Sequence, residues 1–125
     1  MQQKALSPLE QEVMNIVWQL QECSIRDVME KLNQDKKLAY TTIATLLQRL
    51  LQKGFVCRNT ESSVLSYTPK VSKERYSSTM ATSFVHNFLS SFGETAIVSF
   101  ADSIDTLPKD KKEYLLKLLE KHHED

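Results

Sequence analysis

Thr41, Thr42 and Thr45, followed by Gln48 and Arg49, set three short hydroxyls, a carboxamide and a guanidinium at helical spacing. At about 100° per residue, Thr41, Thr45, Gln48, Arg49 and Gln52 share the side opposite Ile43, Leu46, Leu47, Leu50 and Leu51. That side holds no acid and no large apolar residue. Such groups break no bonds. They hydrogen-bond, and the partners that suit them are phosphate oxygens and base edges. A short hydroxyl donates to phosphate and offers a methyl to thymine. Arginine bonds a guanine edge or a phosphate, and glutamine can pair bidentately with adenine. Tyr40, just before the threonines, has a hydroxyl for the nucleic-acid backbone. The same residues also read more plainly, as helix caps and a solvated arginine.

The charge distribution favours the first reading. The 125-residue chain has no net charge, but residues 1–70 carry nine Lys and Arg against seven Asp and Glu, and residues 71–125 carry seven against nine. From Lys36 to Thr60 stand Lys36, Lys37, Arg49, Lys53 and Arg58 with no acid between them. A local excess of this kind is what phosphate binding requires, although a cationic run also occurs on a merely solvated face.

The elements that position these residues follow from caps and periods. Ser7-Pro8-Leu9-Glu10 is a capping box with proline at the first helical position, and Leu6 can staple onto the first turn. Leu9, Val13, Ile16, Val17 and Leu20 extend a helix from Pro8 to about Leu20. After a short link from Gln21 to Cys23, Ser24 and Asp27 form a weaker capping box. Ile25, Val28, Met29 and Leu32 then carry a second helix to about Asn33. Gln34-Asp35-Lys36-Lys37 reads as a polar turn. A third helix starts near Tyr40 or Thr41 and ends at Gly54, whose freedom at positive φ suits a left-handed cap.

Beyond Gly54 the period changes from 3.6 to 2. Phe55-Val56-Cys57-Arg58 and Val64-Leu65-Ser66-Tyr67-Thr68 flank a polar loop and read as a hairpin that Pro69 stops. From Ser72 onward the pattern is helical. Tyr76, Met80, Ala81, Phe84, Val85, Phe88, Leu89 and Phe92 mark one helix, and Ile97, Phe100, Ala101 and Ile104 a second. Pro108 opens a third, with Leu115, Leu118 and Leu119 on one face.

The expected fold is therefore mainly α with a small β-hairpin. Residues 1–70 form an N-terminal winged helix-turn-helix domain, and residues 71–125 a C-terminal helical dimerisation region. In a helix-turn-helix the second helix enters the major groove, which is about 12 Å wide and admits one helix. That helix needs an apolar back and a short-polar, basic front. The candidate contacts to double-stranded DNA are Tyr40, Thr41, Thr42, Thr45, Gln48, Arg49 and, from the wing, Arg58. The tail displays Phe84, Phe88, Phe92, Phe100, Leu115, Leu118 and Leu119. About 50 residues cannot easily bury so many large apolar groups alone, so a second copy is the expected cover.

Other classes find little support. With two glycines in the chain there is no phosphate-binding loop, and no triad or metalloprotease motif appears, so an enzyme is not expected. Cys23 and Cys57 lack the spacing of a zinc site and read as reduced thiols. His122 and His123 beside Glu124 read as solvated, and neither a metal nor a cofactor is expected. No stretch approaches the roughly 18 apolar residues of a membrane span, and no signal-peptide core precedes Ser7, so the expected compartment is the cytoplasm. A winged helix serving as a protein-interaction module, and an activator on the same fold, stay open on the residues alone.

Two segments resemble the penicillinase repressor family, the BlaI/MecI/CopY group of bacterial winged-helix regulators. They are Leu6-Ser7-Pro8-Leu9-Glu10-Gln11-Glu12-Val13-Met14-Asn15-Ile16-Val17-Trp18 and Tyr40-Thr41-Thr42-Ile43-Ala44-Thr45-Leu46-Leu47-Gln48-Arg49-Leu50, the latter closing with Lys53-Gly54-Phe55-Val56. The resemblance implies a homodimeric repressor on a palindromic operator, with Thr41, Thr42, Thr45 and Arg49 in or beside the groove and the helices after Ser72 at the dimer interface. It also implies relief by a sensor-linked protease that cuts the tail before a phenylalanine. Ile97-Val98-Ser99-Phe100 is the similar segment, with Ser99 where family members carry asparagine. The copper-responsive branch has paired Cys-x-Cys motifs near its C-terminus, and this chain has none.

Overall fold

A computed structural model describes residues 5–34 and 36–124. Met1–Lys4, Asp35 of the expected polar turn, Asp125 and the side chains of His123 and Glu124 lie outside that description. The order of elements is α1 (Pro8–Leu20), α2 (Ile25–Leu32), α3 (Tyr40–Gln52), β1 (Val56–Asn59), β2 (Ser66–Pro69), α4 (Lys73–Phe92), α5 (Glu94–Ile104) and α6 (Lys109–Glu124). The contacts divide the chain into two compact units that meet between Thr79 and Met80.

In the first unit, α1 begins as its sequence specifies. The Ser7 hydroxyl accepts the Glu10 N–H at 3.2 Å, and the Glu10 carboxylate accepts the Ser7 N–H at 2.9 Å. Ser24 and Asp27 repeat the arrangement at α2. The helix α3 ends in a Schellman motif. The Phe55 N–H donates to Leu50 and the Gly54 N–H to Leu51, with Gly54 at φ +84°. Phe55 and Leu50, brought together by that motif, are both fully buried.

The core comprises Val13, Met14, Val17 and Trp18 of α1, Ile25, Val28 and Leu32 of α2, and Ile43, Leu46, Leu47 and Leu50 of α3, closed by Phe55, Val56 and Tyr67. The apolar face of α1 is wider than the expected stripe, since Met14 and Trp18 are buried too. Leu51, expected on the apolar side of α3, is only half-buried.

The hairpin pairs Val56 with Pro69, Cys57 with Thr68, Arg58 with Tyr67 and Asn59 with Ser66. Both strands start later than expected and end one residue later, so that Pro69, expected to stop the second strand, is its last paired residue. Phe55 precedes β1 because its backbone completes the α3 cap, and Val64 stays exposed in the loop. The link after α1 does more than expected. Cys23 and Tyr67 exchange both backbone hydrogen bonds, at 3.0 and 2.7 Å, which ties the segment before α2 to the hairpin.

The sequence boundary at Lys70–Val71 marks the end of the hairpin, but packing carries the compact unit on to Thr79. Trp18 donates its indole N–H to the Val71 carbonyl at 2.8 Å. Tyr76, in the first turns of α4, lies 5.1 Å from Phe55 edge-to-face and 5.9 Å from Trp18, and is buried.

Among the described residues of the second unit, Ala96 alone is buried. Phe84 and Phe88 stack at 5.6 Å, and Phe88 meets Phe92 edge-on at 5.4 Å. Even so, Phe84 and Phe92 are each 61% exposed, and Val85, Ile97, Val98, Phe100 and Leu119 are exposed as well. Leu115 and Phe88 are half-buried. No described helix is long and apolar enough to cross a membrane.

The ion pair of Glu10 couples stability to pH. Glu10 is 2% exposed, and its carboxylate meets the Lys53 ammonium at 2.6 Å. The Lys53 hydrogen bond, and then that of the Ser7 N–H, hold its pKa below the ordinary carboxylate value. A carboxyl whose folded value is depressed contributes stability above its unfolded pKa. That contribution is lost as pH falls through the ordinary carboxylate range toward the lowered folded value. Urea midpoints measured from neutral to acid pH should therefore fall steadily in the wild type. Glu10→Gln should start lower at neutral pH and decline less, and parallel curves would refute the coupling.

Candidate nucleic-acid interface

Every expected contact residue lies in the first unit and is exposed. Tyr40, 48% exposed, opens α3, and Thr41, Thr42, Thr45, Gln48 and Arg49 line its outer side, opposite the buried Ile43, Leu46, Leu47 and Leu50. The N-cap of α3 is Ala39, and no side chain caps that end. Thr41 and Thr42 are thus inside the first turn rather than capping it. The Thr45 hydroxyl donates to the Thr41 carbonyl at 2.9 Å, which leaves its methyl and its oxygen lone pairs for an outside partner.

The turn that aims α3 is braced by Asn33, a residue not among those singled out in the sequence. Its side-chain oxygen accepts the Leu38 N–H at 2.9 Å, and its amide donates to the Leu38 carbonyl at 3.3 Å. Asparagine at the C-cap of α2, five residues before Leu38, is the single local clue to this bracing.

The cationic run is thinner than its sequence suggests. Lys53 points away from the outer side of α3 and is neutralised by Glu10. Lys36 meets Glu12 at 2.7 Å across an exposed surface. These acids come from α1, distant in sequence, so a count within Lys36–Thr60 could not include them. Arg49 and Arg58 remain beside the hydroxyl row.

Arg58 reaches α3 because of the sheet pleat. Val56 is buried on the face turned to the helices. Arg58, two residues on, shares that face and pairs with the buried Tyr67. Its guanidinium donates to the Gln48 side-chain oxygen at 3.3 Å. The wing loop is held by the Glu61 N–H donating to Asn59 and by the Ser62 hydroxyl donating to Val64.

The two thiols differ. Cys57 is exposed on β1, whereas Cys23 is buried. Burial, then the charges of Asp27 and Glu22, push the Cys23 thiol up to about 11, so it stays protonated at neutral pH. Among the described residues no cluster of three or more His, Cys, Asp or Glu is placed to hold a metal ion.

Three helices, a hairpin wing and an exposed polar face on the third helix define a winged helix-turn-helix protein, mainly α in content. The penicillinase repressor family profile matches residues 6–121, and the chain belongs to that family. It is 27% identical over 117 residues to the penicillinase repressor of Bacillus licheniformis, covering 94% of this chain and 91% of that one. It is 28% identical over 116 residues to the methicillin resistance regulatory protein MecI of Staphylococcus aureus strain N315, covering 93% and 94%. Among solved structures, the chain resembles monomeric B. licheniformis BlaI in complex with the blaP half-operator. That match has a TM-score of 0.52 and 29% identity over 60% of this chain and 92% of that one. A MarR family protein of Bacillus stearothermophilus shares the fold at 18% identity and a TM-score of 0.51, over 98% of this chain and 78% of that one. The chain is a DNA-binding transcriptional repressor, not an enzyme.

Proposed function

We propose that this repressor binds a palindromic operator as a homodimer, with Tyr40, Thr41, Thr42, Thr45, Gln48 and Arg49 of each α3 in the major groove and Arg58 on the flanking backbone. The observation that carries this reading is the division of α3 into a side of buried Ile43, Leu46, Leu47 and Leu50 and an exposed side free of acids. The open N-terminus of α3 adds backbone N–H groups for a phosphate. Two-fold symmetry sets the two half-sites a helical turn, or a multiple of one, apart.

The dimer is formed by the tail. Phe84, Phe88, Phe92, Phe100, Leu115, Leu118 and Leu119 supply its apolar cover, since the second unit buries so little of its own surface. Relief comes from a sensor-linked protease that cuts between Ser99 and Phe100. Both residues lie on α5, and Phe100 is also among the residues assigned to the dimer cover, so cleavage requires α5 to open locally at that interface. The protein acts in the cytoplasm.

The test is fluorescence anisotropy on a duplex from the chain's own upstream region, at two salt concentrations, with a scrambled duplex as control. Specific binding should weaken steeply with salt. Arg49→Ala should reduce it by about 10- to 100-fold, the loss of one good base or phosphate contact. Equal, weak binding of the wild type to both duplexes would overturn the reading.

A further inference from the structure

Gln48 stands in the middle of the proposed groove-facing row, and a glutamine there ordinarily reads adenine. Bidentate pairing with adenine needs a free amide oxygen to accept from N6 and a free amide N–H to donate to N7. In this chain one lone pair of the amide oxygen accepts from Arg58 at 3.3 Å, which turns that oxygen toward the wing. Guanidinium is a donor with no acceptor, so the contact fixes which way the carboxamide faces: oxygen toward the wing, amino group away from it. Arg58 is held for this contact from the other side. The pleat sets it on the same face as the buried Val56, directly across from the buried Tyr67.

We infer that Arg58 sets the base specificity of Gln48, turning it from an adenine reader into a pure donor. The inference rests on the groove placement of α3 proposed above. A carboxamide that leads with its amino group matches an edge of two adjacent acceptors, which in the major groove is guanine N7 and O6. Adenine offers one acceptor beside a donor, and its N6 amino group faces the Gln48 amino group unfavourably. Arg58 thus acts as a positioning residue: it selects the base through Gln48 and need not touch the base itself. Without the guanidinium the carboxamide is free to turn, and the adenine pairing becomes available.

Selection of the full-length protein on a randomised duplex pool, followed by sequencing, tests this. The wild type should enrich guanine at one position of each half-site, and Gln48→Ala should lose the preference there alone. Arg58→Met keeps the length of the side chain and removes its donors. It should shift that same position from guanine to adenine, changing their ratio by about an order of magnitude. Circular dichroism of each variant verifies the fold, and both positions are exposed. An unchanged preference in Arg58→Met, adenine selected by the wild type, or no position altered by Gln48→Ala would each overturn the inference. In those cases loss of selection in Arg49→Ala would leave the groove placement standing. A wild type that enriches no sequence would overturn the placement and the inference together.

Discussion

A chain ended after Thr79 should keep a cooperative unfolding transition and lose operator affinity by about 10²- to 10⁴-fold, the avidity that joining two heads supplies. The head is complete at that point. Trp18, Phe55 and Tyr76 close its core, and the Trp18–Val71 hydrogen bond fixes the exit from the hairpin. What the cut removes includes the exposed apolar surface of Phe84, Phe92 and Phe100. Each groove contact survives, but a single head has no tethered second one. A cut after Lys70 adds a different defect, because Tyr76 and the Val71 carbonyl go with it. That fragment should melt lower, its lost aromatic contacts alone being worth about 0.5–1.5 kcal/mol each beyond the area they bury. Anisotropy and thermal melts on the two fragments separate these effects. Equal affinity of the Thr79 fragment and the full chain would eliminate the tail as the source of affinity.

Phe55→Ala should cost about 3–5 kcal/mol of stability, the usual range for emptying a buried phenylalanine site. Phe55 is wholly inaccessible to solvent and packs edge-to-face on Tyr76 at 5.1 Å. Its backbone is committed as well: its N–H caps Leu50 and its carbonyl accepts from Lys70 at 2.8 Å. The surroundings are fixed from two directions and cannot collapse into the space. Small domains are stable by only about 5–15 kcal/mol, so this loss brings the head close to unfolding. Urea melts give the value. Phe55→Leu, which keeps most of the volume, should lose distinctly less. A loss for alanine below about 1 kcal/mol would mean that the site relaxes and that Phe55 does not hold the end of α3 to the start of α4.

Much of the fold was legible because its signals are local. Ser7, Pro8 and Glu10 begin α1 with bonds across three residues, and Gly54 ends α3 through its own backbone freedom. The two sides of α3 follow from period alone. So does the row of Thr41, Thr45, Gln48 and Arg49, all of them exposed. The boundaries of the hairpin were less legible. Phe55 suits a strand by type, yet the α3 cap claimed its backbone first.

What tertiary structure alone decided is which charges and amides are already taken. Lys53 and Lys36 look free in a run without acids, but the fold sets Glu10 and Glu12 of α1 against them. Gln48 looks free to face adenine, but the pleat of β1 sets Arg58 on its oxygen. Cys23 looks like part of a link, but it bridges to Tyr67. The sequence by itself determined the helices, the turn signals and the polar front of α3, since caps and periodicity act within a few residues of themselves. Pairings across tens of residues depend on how the elements pack, because a short hydrogen bond or ion pair exists only where two chain segments are brought within its reach.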